Sequence, residues 1–276
     1  MTIVATPAVV LHAFDYMESS RIVRLFTRDA GVQSALARGA RSSRKRFGPG
    51  GGGALDLFAE GEAQYHVKPG RELHTLSGFD VTRSRPGLAL EIGRFTAASA
   101  LAELVLRFAR DDAQPALYDA FLAALDRLAA APADRAREGG LAGAWRLVAE
   151  LGFAPNLDTC SSCHEALPSD RPAAFSHPAG GVLCAPCARL GGATRLLPAD
   201  ARAALSGWTG GEPDSRAEPL SEPAGRAHQR LLREFLREHL TDGRPLRALD
   251  MWEGDRWDVP SLPSATLAEN QRSPDR

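Results

Sequence analysis

The chain has 276 residues, of which 44% are hydrophobic and 24% charged, so it can bury a core of its own. This composition excludes fibrous and disordered proteins, and no run of 18 apolar residues exists that would indicate a membrane span. The formal net charge of −1 excludes a global attraction to nucleic acid, so such binding requires a local basic patch.

Short segments rich in strand-forming residues fill the chain up to about residue 80. They are Ala8–Phe14, Ile22–Thr27, Val32–Ala37, Leu55–Phe58, Ala63–Val67 and Leu73–Leu76. Gly31 lies where a three-residue hairpin needs a left-handed residue. The pattern predicts a small barrel of about five strands, and an OB-fold is the leading candidate.

A basic segment without acids follows the third predicted strand and leads into a glycine run at 48–53. Its cations are Arg38, Arg41, Arg44, Lys45 and Arg46. A mobile basic loop on a small barrel can follow a phosphate backbone, so these five residues are predicted to bind DNA. Phe47 beside them is a candidate for stacking on a base. The alternative is an ordinary solvated surface loop.

Apolar residues recur at helical spacing from about residue 86 onwards. The first predicted helix places Leu88, Ile92 and Phe95 on one face. Further helices are predicted over Pro115–Leu128, around Leu141–Leu151 and near Ala199–Leu205. A linker rich in Pro and Gly is predicted from Gly207 to Gly225.

The last predicted helix runs from Arg226 to about Leu240 and has two distinct faces. The apolar face carries Leu231, Leu232, Phe235 and Leu236. The basic face carries Arg226, Arg230, Arg233 and Arg237. Pairing of these arginines with Glu234 on the helix surface is one interpretation. The other is an arginine-rimmed groove, with Leu232 and Phe235, that binds an acidic peptide ending in a hydrophobic residue.

Four cysteines form two Cys-x-x-Cys knuckles separated by the 20 residues 164–183, and the chain has no other cysteine. Cys160, Cys163, Cys184 and Cys187 are therefore predicted to hold one structural Zn²⁺, because four thiolates complete a tetrahedron and leave no open catalytic position. His164 or His177 could replace one of these ligands. A thioredoxin-like redox pair needs one such motif in a βαβ unit, and a zinc deaminase needs His-x-Glu before Pro-Cys-x-x-Cys. Neither pattern is present.

The N-terminus lacks the charged start and apolar core of a secretion signal, so a cytoplasmic location is expected. Thiols stay reduced there, which favours metal binding over disulfides. Catalysis is not expected, since the P-loop, His-Glu-x-x-His and Gly-x-Ser-x-Gly motifs are absent.

Several segments of the chain resemble the RecO family of bacterial recombination mediators. They are Ala13–Val23, Thr27–Gly31, Arg38–Arg41, Trp145–Leu147 and Leu151–Pro155, together with Phe175 and Gly180–Gly181 ahead of the second knuckle. His164 stands where the family often has glycine, and histidine tolerates a left-handed backbone better than most residues. The glycine run at 48–53 differs from the usual serine-bearing loop.

The resemblance implies an α+β protein with an N-terminal OB-fold barrel, a helical body and an inserted four-cysteine zinc knuckle. The expected divisions are a barrel over 1–80, helical parts over 81–157 and 191–252, a knuckle over 158–190 and a disordered tail over 253–276.

The implied function is that of a non-enzymatic, nucleoid-associated DNA-repair protein of the RecF pathway. It would bind single- and double-stranded DNA, anneal strands and, with RecR, help RecA load on DNA coated by single-stranded-DNA-binding protein (SSB). The SSB tail would be the acidic peptide bound by Arg226, Arg230 and Arg233. Two alternatives remain open, an RNA-associated module on the same barrel and a zinc-stapled scaffold that docks another protein.

Overall fold

The N-terminal strands close into a barrel in the order β1-β2-β3-β5-β4. The computed structural model describes residues 2–47, 55–67, 70–191, 195–211, 218–241 and 244–254. The barrel elements are β1 (Thr2–Tyr16), β2 (Ser20–Thr27), β3 (Gly31–Ala37), the short helix α1 (Arg44–Phe47), β4 (Glu60–Val67) and β5 (Leu73–Arg83). β1 pairs with both β2 and β4, and β3 runs parallel to β5. The predicted OB-like barrel is confirmed.

The β2–β3 turn requires glycine, as the sequence predicts. Gly31 has φ +64°, and a Cβ atom there would lie 2.1 Å from the carbonyl oxygen of Arg110. Both the left-handed backbone and the close approach of the helical body therefore exclude a side chain.

The segment Leu55–Phe58 is not the strand that its apolar residues predict. It forms a turn in which Phe58 has φ +65° and donates its N–H to the carbonyl of Val10 at 2.9 Å. Leu55 and Phe58 are buried while Leu57 is 41% exposed, so the segment plugs the barrel rather than extending its sheet.

The helical body consists of two groups of helices, separated in sequence by an insertion that forms a small sheet. The first group is α2 (Ile92–Phe108), α3 (Pro115–Ala130) and α4 (Ala136–Glu150). The insertion contains β6 (Ala173–Ser176), β7 (Gly181–Leu183), α5 (Ala185–Leu190) and β8 (Arg195–Leu197), with sheet order β7-β6-β8. The second group is α6 (Ala199–Gly210), α7 (Glu222–His239) and α8 (Arg247–Glu253).

α4 is the central helix of the body and packs against α2, α3, α6 and α7. Gly143 allows this close packing, because a Cβ atom there would lie 2.9 Å from Leu101 and 3.0 Å from Ala124. Trp145 is fully buried and lies 5.2 Å from the ring of Phe235. It therefore belongs to the core.

Two helix boundaries differ from the sequence prediction. α6 continues to Gly210 because Trp208 is anchored in the core, and α7 begins at Glu222 rather than Arg226. The Ser221 hydroxyl accepts from the N–H of Ala224, and a proline occupies the first turn of α7. These residues mark a helix start. The predicted linker from Gly207 to Gly225 is therefore wrong at both ends, and residues 255–276 of the predicted tail lie outside the described residues.

The barrel and the helical body are joined by Arg85, whose side chain is 2% exposed. Its guanidinium pairs with Glu60 of β4 at 2.5 Å and with Asp126 of α3 at 2.6 Å, and donates to the carbonyl of Phe58. Beside it, Phe26 of the barrel packs edge-on against Tyr118 of α3 at 5.4 Å. The two parts share one continuous apolar core.

Candidate metal centre and nucleic-acid interface

The first knuckle is a tight turn that holds two thiols on the same side. The N–H of Cys160 donates to the Glu165 carbonyl at 2.8 Å, and the N–H of His164 donates to the Cys160 carbonyl at 2.9 Å. His164 has φ +64°, as expected for a residue that stands in a glycine position. The turn closes on itself and directs both cysteines towards the second knuckle.

The second knuckle joins the end of β7 to the start of α5. Cys184 directly follows β7 and caps α5, and Cys187 lies in the first turn of that helix. The N–H of Ala188 donates to the Cys184 carbonyl at 2.9 Å. This strand-to-helix turn brings its two thiols to the first pair.

The four sulfur atoms form a cluster with the dimensions of a metal site. The Sγ atoms of Cys160, Cys163, Cys184 and Cys187 all lie within 4.8 Å of one another. The Cys163 and Cys184 Sγ atoms are 3.6 Å apart, and all four cysteines are free thiols. Zinc–sulfur bonds of about 2.3 Å in a tetrahedron require sulfur atoms ~3.8 Å apart. The cluster could therefore hold a tetrahedral metal ion.

The ionisation of these thiols also fits a cation between them. Burial alone raises the pKa of the Cys160 thiol, but backbone N–H groups from both knuckles donate to its sulfur and lower the pKa to about 6. The N–H of Cys187 lowers the pKa of Cys184, but burial and three neighbouring thiols outweigh it and raise the pKa to about 12. Loss of a first proton from the cluster is thus favoured, whereas loss of a second is opposed. A cation bound between the thiols would stabilise the thiolates and so favour loss of further protons.

Neither histidine is placed as a metal ligand in the described part of the chain, where the cluster contains cysteines only. His177 Nε2 lies 3.1 Å from Glu234 Oε2 on α7, and burial lowers the pKa of its imidazole. His239 Nε2 lies 2.7 Å from the His177 carbonyl oxygen. The two knuckles together with β6, β7, α5 and β8 form a unit that we call the cysteine module. His177 thus connects the cysteine module to the helical body.

The basic segment after β3 is folded around α1 rather than extended. Arg38, Arg41 and Arg46 are exposed, and Arg46 Nη2 donates to the Arg38 carbonyl at 2.9 Å. Arg41 Nη1 donates to the Glu18 carbonyl at 3.3 Å. Arg44 and Lys45 complete α1. The segment therefore offers three exposed guanidinium groups among its described side chains.

Phe47 is 0% exposed and packs in the barrel core. The guanidinium carbon of Arg46 lies 5.3 Å from the centre of the Phe47 ring. The suggestion that Phe47 stacks on a base is therefore wrong. In a sequence, a single aromatic residue after a run of cations is typical of an exposed ligand contact, whereas Phe47 fills part of the barrel core.

Of the four arginines on the basic face of α7, two are ion-paired with acids of the chain. Arg226 Nε pairs with Glu222 at 2.8 Å, and Arg233 Nη1 pairs with Glu253 of α8 at 2.6 Å. Arg230 is exposed and forms no ion pair among the described residues. Glu234, expected to pair with these arginines, instead binds Arg195 of β8 at 2.8 Å.

The two apolar side chains that were predicted to line the groove on α7 do not line it. Leu232 is 0% and Phe235 2% exposed, so both belong to the core. A cavity of about 350 Å³ lies instead between α7 and α8. It is lined by Arg233, Arg237, Thr241, Arg244, Pro245, Leu246, Leu249 and Asp250.

Two family models together cover most of the chain. Residues 1–85 match the model described as Recombination protein O N terminal, and residues 89–249 match Recombination protein O C terminal. The chain belongs to the RecO family. The resemblance read from its residues is confirmed.

Full-length relatives support RecO membership. The chain is 40% identical over 249 residues to DNA repair protein RecO of Anaeromyxobacter sp. (strain K), covering 87% of this chain and 92% of the relative. It is 37% identical over 188 residues to DNA repair protein RecO of Geobacter sulfurreducens, covering 67% of this chain and 72% of the relative. Among the described residues, every helix falls short of the length and apolarity needed to cross a lipid bilayer.

Arg202 of α6 positions the cysteine module on the RecO helical body, and sequence reasoning missed it. The residue is 2% exposed, and its guanidinium donates to the carbonyls of Leu157 at 2.7 Å, Leu167 at 2.9 Å and Pro168. These carbonyls lie on both sides of the first knuckle. Arg202 follows Ala199, Asp200 and Ala201, a pattern typical of a solvated helix, so no local signal reveals its role.

Proposed function

We propose that the chain is a non-enzymatic recombination mediator that binds DNA through its barrel. The observation that carries the proposal is the cluster of exposed arginines around α1 on an OB-like barrel of a DNA repair family. Such a cluster attracts phosphates of any sequence, and the near-neutral chain offers no competing global field.

Arg38, Arg41, Arg44, Lys45 and Arg46 are the proposed contacts to the DNA backbone. The exposure of Arg38, Arg41 and Arg46 supports this assignment, and the hydrogen bond from Arg46 Nη2 to the Arg38 backbone carbonyl holds the Arg46 guanidinium within this segment. Guanidinium groups bind phosphate oxygens through charge-assisted hydrogen bonds. Single- and double-stranded DNA both present phosphates, so both are proposed ligands.

We propose that the four-cysteine cluster holds one structural Zn²⁺. The free thiols, their spacing and the absence of a fifth ligand among the described residues support a closed thiolate site. Its role would be to fix the insertion between α4 and α6. Reduced thiols also support a cytoplasmic location, and binding to DNA would bring the protein to the nucleoid.

The proposed partners are RecR, SSB and, indirectly, RecA. The cavity beside Arg233 supports an SSB-tail site, since it combines an apolar floor with three arginines. Arg226, Arg230 and Arg233 would contact the acidic part of that tail. Strand annealing and the loading of RecA onto SSB-coated DNA would follow from binding DNA and SSB together.

The decisive experiment is annealing of complementary SSB-coated strands without nucleotide, combined with salt titration of DNA binding. Five contacts to single-stranded phosphates predict a slope of log affinity against log salt near −3.5, and replacing Arg44, Lys45 and Arg46 with Gln should reduce its magnitude by about 2. A matched control is Arg189→Gln, an exposed arginine in the cysteine module.

An unchanged slope in the triple variant would remove this segment from the DNA interface. Preference for RNA over a matched DNA oligomer would favour the RNA-associated module. Absence of nucleic-acid affinity even at low salt would favour the docking scaffold.

A further inference from the structure

The outer face of β1, β2 and β3 is partly covered by the helical body and partly open. Val9, Phe26 and Val32 form one row across the three strands, since Val9 is opposite Phe26 and Phe26 opposite Val32. All three are buried in the core shared with the helices, and Phe26 contacts Tyr118 and Phe121 of α3. The helical body thus covers the sheet as far as this row and Leu11 at the start of the bulge.

The same face continues beyond a β-bulge between Val10 and His12 and projects past the body. The next two rows across the strands are His12, Arg24 and Ser34, then Phe14, Ile22 and Leu36. Tyr16 opposite Ser20 forms the last row. The three β1 residues of these rows are exposed and the β2 and β3 residues are half-buried, so the described elements leave this face partly open. Successive rows are ~6.8 Å apart along a strand.

One strand supplies three ring side chains to this open face. His12, Phe14 and Tyr16 alternate along β1, and the rings of His12 and Phe14 lie 5.7 Å apart. Phe14 is 44% and Tyr16 42% exposed, and Met17 beyond them is 79% exposed. Large apolar side chains left in water on one face of a protruding hairpin indicate a binding surface.

The charges on this face are positive. Arg24 lies in the first open row, and its Nε atom is buried without a hydrogen-bond partner among the described residues. Arg38 follows β3 and is exposed. The nearest acid on β1, Asp15, points to the other side of the strand and pairs with Arg21 at 3.0 Å. No acid occupies an outward position in the open rows.

We propose that this open face binds the bases of single-stranded DNA by stacking them on Phe14 and Tyr16, while Arg24 and Arg38 hold the adjoining phosphates. The inference rests on the proposed DNA-binding function and names the part of the strand that the barrel recognises. Aromatic rings flanked by guanidinium groups bind single strands of any sequence, because every base has a π-face.

Two properties follow from the shape of the face. Bases in a duplex are stacked on each other and cannot reach the rings, so the face selects single strands whereas the arginines around α1 accept both. An open face, unlike a closed groove, leaves the hydrogen-bonding edges of stacked bases accessible to a second strand. Annealing requires that access.

The test uses the full chain and labelled oligothymidylate, followed by fluorescence anisotropy. Phe14→Ala and Tyr16→Ala should each weaken binding by roughly 5- to 150-fold, with the salt slope unchanged since no phosphate contact is lost. Phe14→Trp should keep the wild-type affinity. The matched control is Ile3→Ala, which removes another exposed apolar side chain of β1 (63% exposed) on the side that pairs with β4.

An oligomer of the same length without bases separates stacking from charge. The wild type should bind oligothymidylate more tightly than this abasic polyanion, and the Phe14→Ala, Tyr16→Ala double variant should bind both alike. If the double variant keeps wild-type affinity for oligothymidylate, or loses affinity equally for the abasic polyanion, the stacking inference is overturned while DNA binding stands. If the wild type binds neither oligomer at low salt, the proposed function is overturned too.

Discussion

Arg202 is a buried cation whose partners are backbone carbonyls of the cysteine module, with no ion pair among the described residues. Hydrogen bonds from a charged group contribute about 1.5–3 kcal/mol each. Replacing Arg202 with Met removes one buried and two part-buried hydrogen bonds to these carbonyls. Because water can reach the part-buried carbonyls, we expect a loss of about 3 kcal/mol in the free energy of unfolding, less than the sum for three fully buried bonds.

Denaturant unfolding measures this loss, and Arg189→Met on the exposed side of the module is the control. Arg202→Lys should recover only part of the stability, because an ammonium cannot span the separated carbonyls. Equal unfolding midpoints for Arg202→Met and the control would show that the arginine does not hold the module.

Glu253 at the end of α8 predicts a pH dependence of stability. Burial raises the pKa of its carboxyl from 4.5 to about 7, although Arg233 pairs with it and opposes the shift. The folded chain then keeps a proton that the unfolded chain releases. The free energy of unfolding should therefore fall by up to ~3 kcal/mol as pH rises from about 4.5 to about 7. Above pH 7 it should stay at the lower value.

The measurement compares the free energy of unfolding of the wild type with that of Glu253→Gln across this pH range. The comparison cancels the titration of other groups, including the thiols of the metal site. A wild-type minus variant difference that does not change with pH would contradict the prediction.

The cysteine module is predicted to depend on its metal while the barrel does not. Removing the ion, or replacing Cys184 with Ser, should unfold the knuckles and weaken the docking of β6–β8, because thiolate–zinc bonds supply much of the folding free energy of such modules. About one zinc per chain should be found by metal analysis, and hydrogen exchange should increase in the module only. Metal-free protein with unchanged thermal unfolding would contradict this.

α7 is predicted to present its arginines to the SSB tail. Because Arg226 and Arg233 are ion-paired with acids of the chain, reversing their charge would also repel Glu222 and Glu253. The cleaner variant is Arg230→Glu, because Arg230 forms no ion pair among the described residues, and it should weaken tail-peptide binding roughly tenfold or more by anisotropy. Affinity for naked DNA should change little. The control is Arg189→Glu, and equal peptide affinity in both variants would locate the tail elsewhere.

Local signals made several elements predictable from the sequence. The two-residue spacing of each knuckle, the left-handed Gly31 turn and the left-handed His164 depend on neighbours along the chain, and the structure has all three. Helix-start signals were harder to interpret. Ser221 and the following proline resemble linker residues until the amphipathic run behind them is included.

Long-range packing determined what the sequence could not predict. The first face expected for α2 included Ile92, which is 52% exposed, whereas the helix buries Ala97, Ala98 and Leu101 against α4 and its glycines. The residues that precede Phe47 and Arg202 likewise give no sign of burial. The burial of Phe47 depends on closure of the barrel, and that of Arg202 on segments more than thirty residues away. No periodicity encodes such contacts.

The barrel and the helical body are expected to unfold together because they share a core. Asp126→Ala removes one of the two carboxylates that pair with buried Arg85, and we expect it to cost about 3 kcal/mol, the lower end for breaking a buried ion pair, since Glu60 remains. The control is Asp119→Ala on the same helix, whose exposed pair with Arg28 should contribute at most ~1 kcal/mol.

Denaturant unfolding followed by both near-ultraviolet and far-ultraviolet circular dichroism would test this prediction. One coincident transition is expected in the wild type and in both variants. Two separate transitions in the wild type, or equal losses for Asp126→Ala and Asp119→Ala, would show that the two parts are not joined through Arg85.

The hydrogen bonds of the buried Arg202 guanidinium also make the conservation of this helical-body residue depend on the presence of the cysteine module. The insertion leaves from α4 and returns to α6, and these two helices pack directly on each other. Its deletion would therefore preserve the topology of the body. A descendant that lost the segment 157–171 would lose every carbonyl to which the Arg202 guanidinium donates, so these hydrogen bonds would no longer favour arginine at this position. Arginine at this position should accordingly be gained and lost together with the insertion among homologous chains.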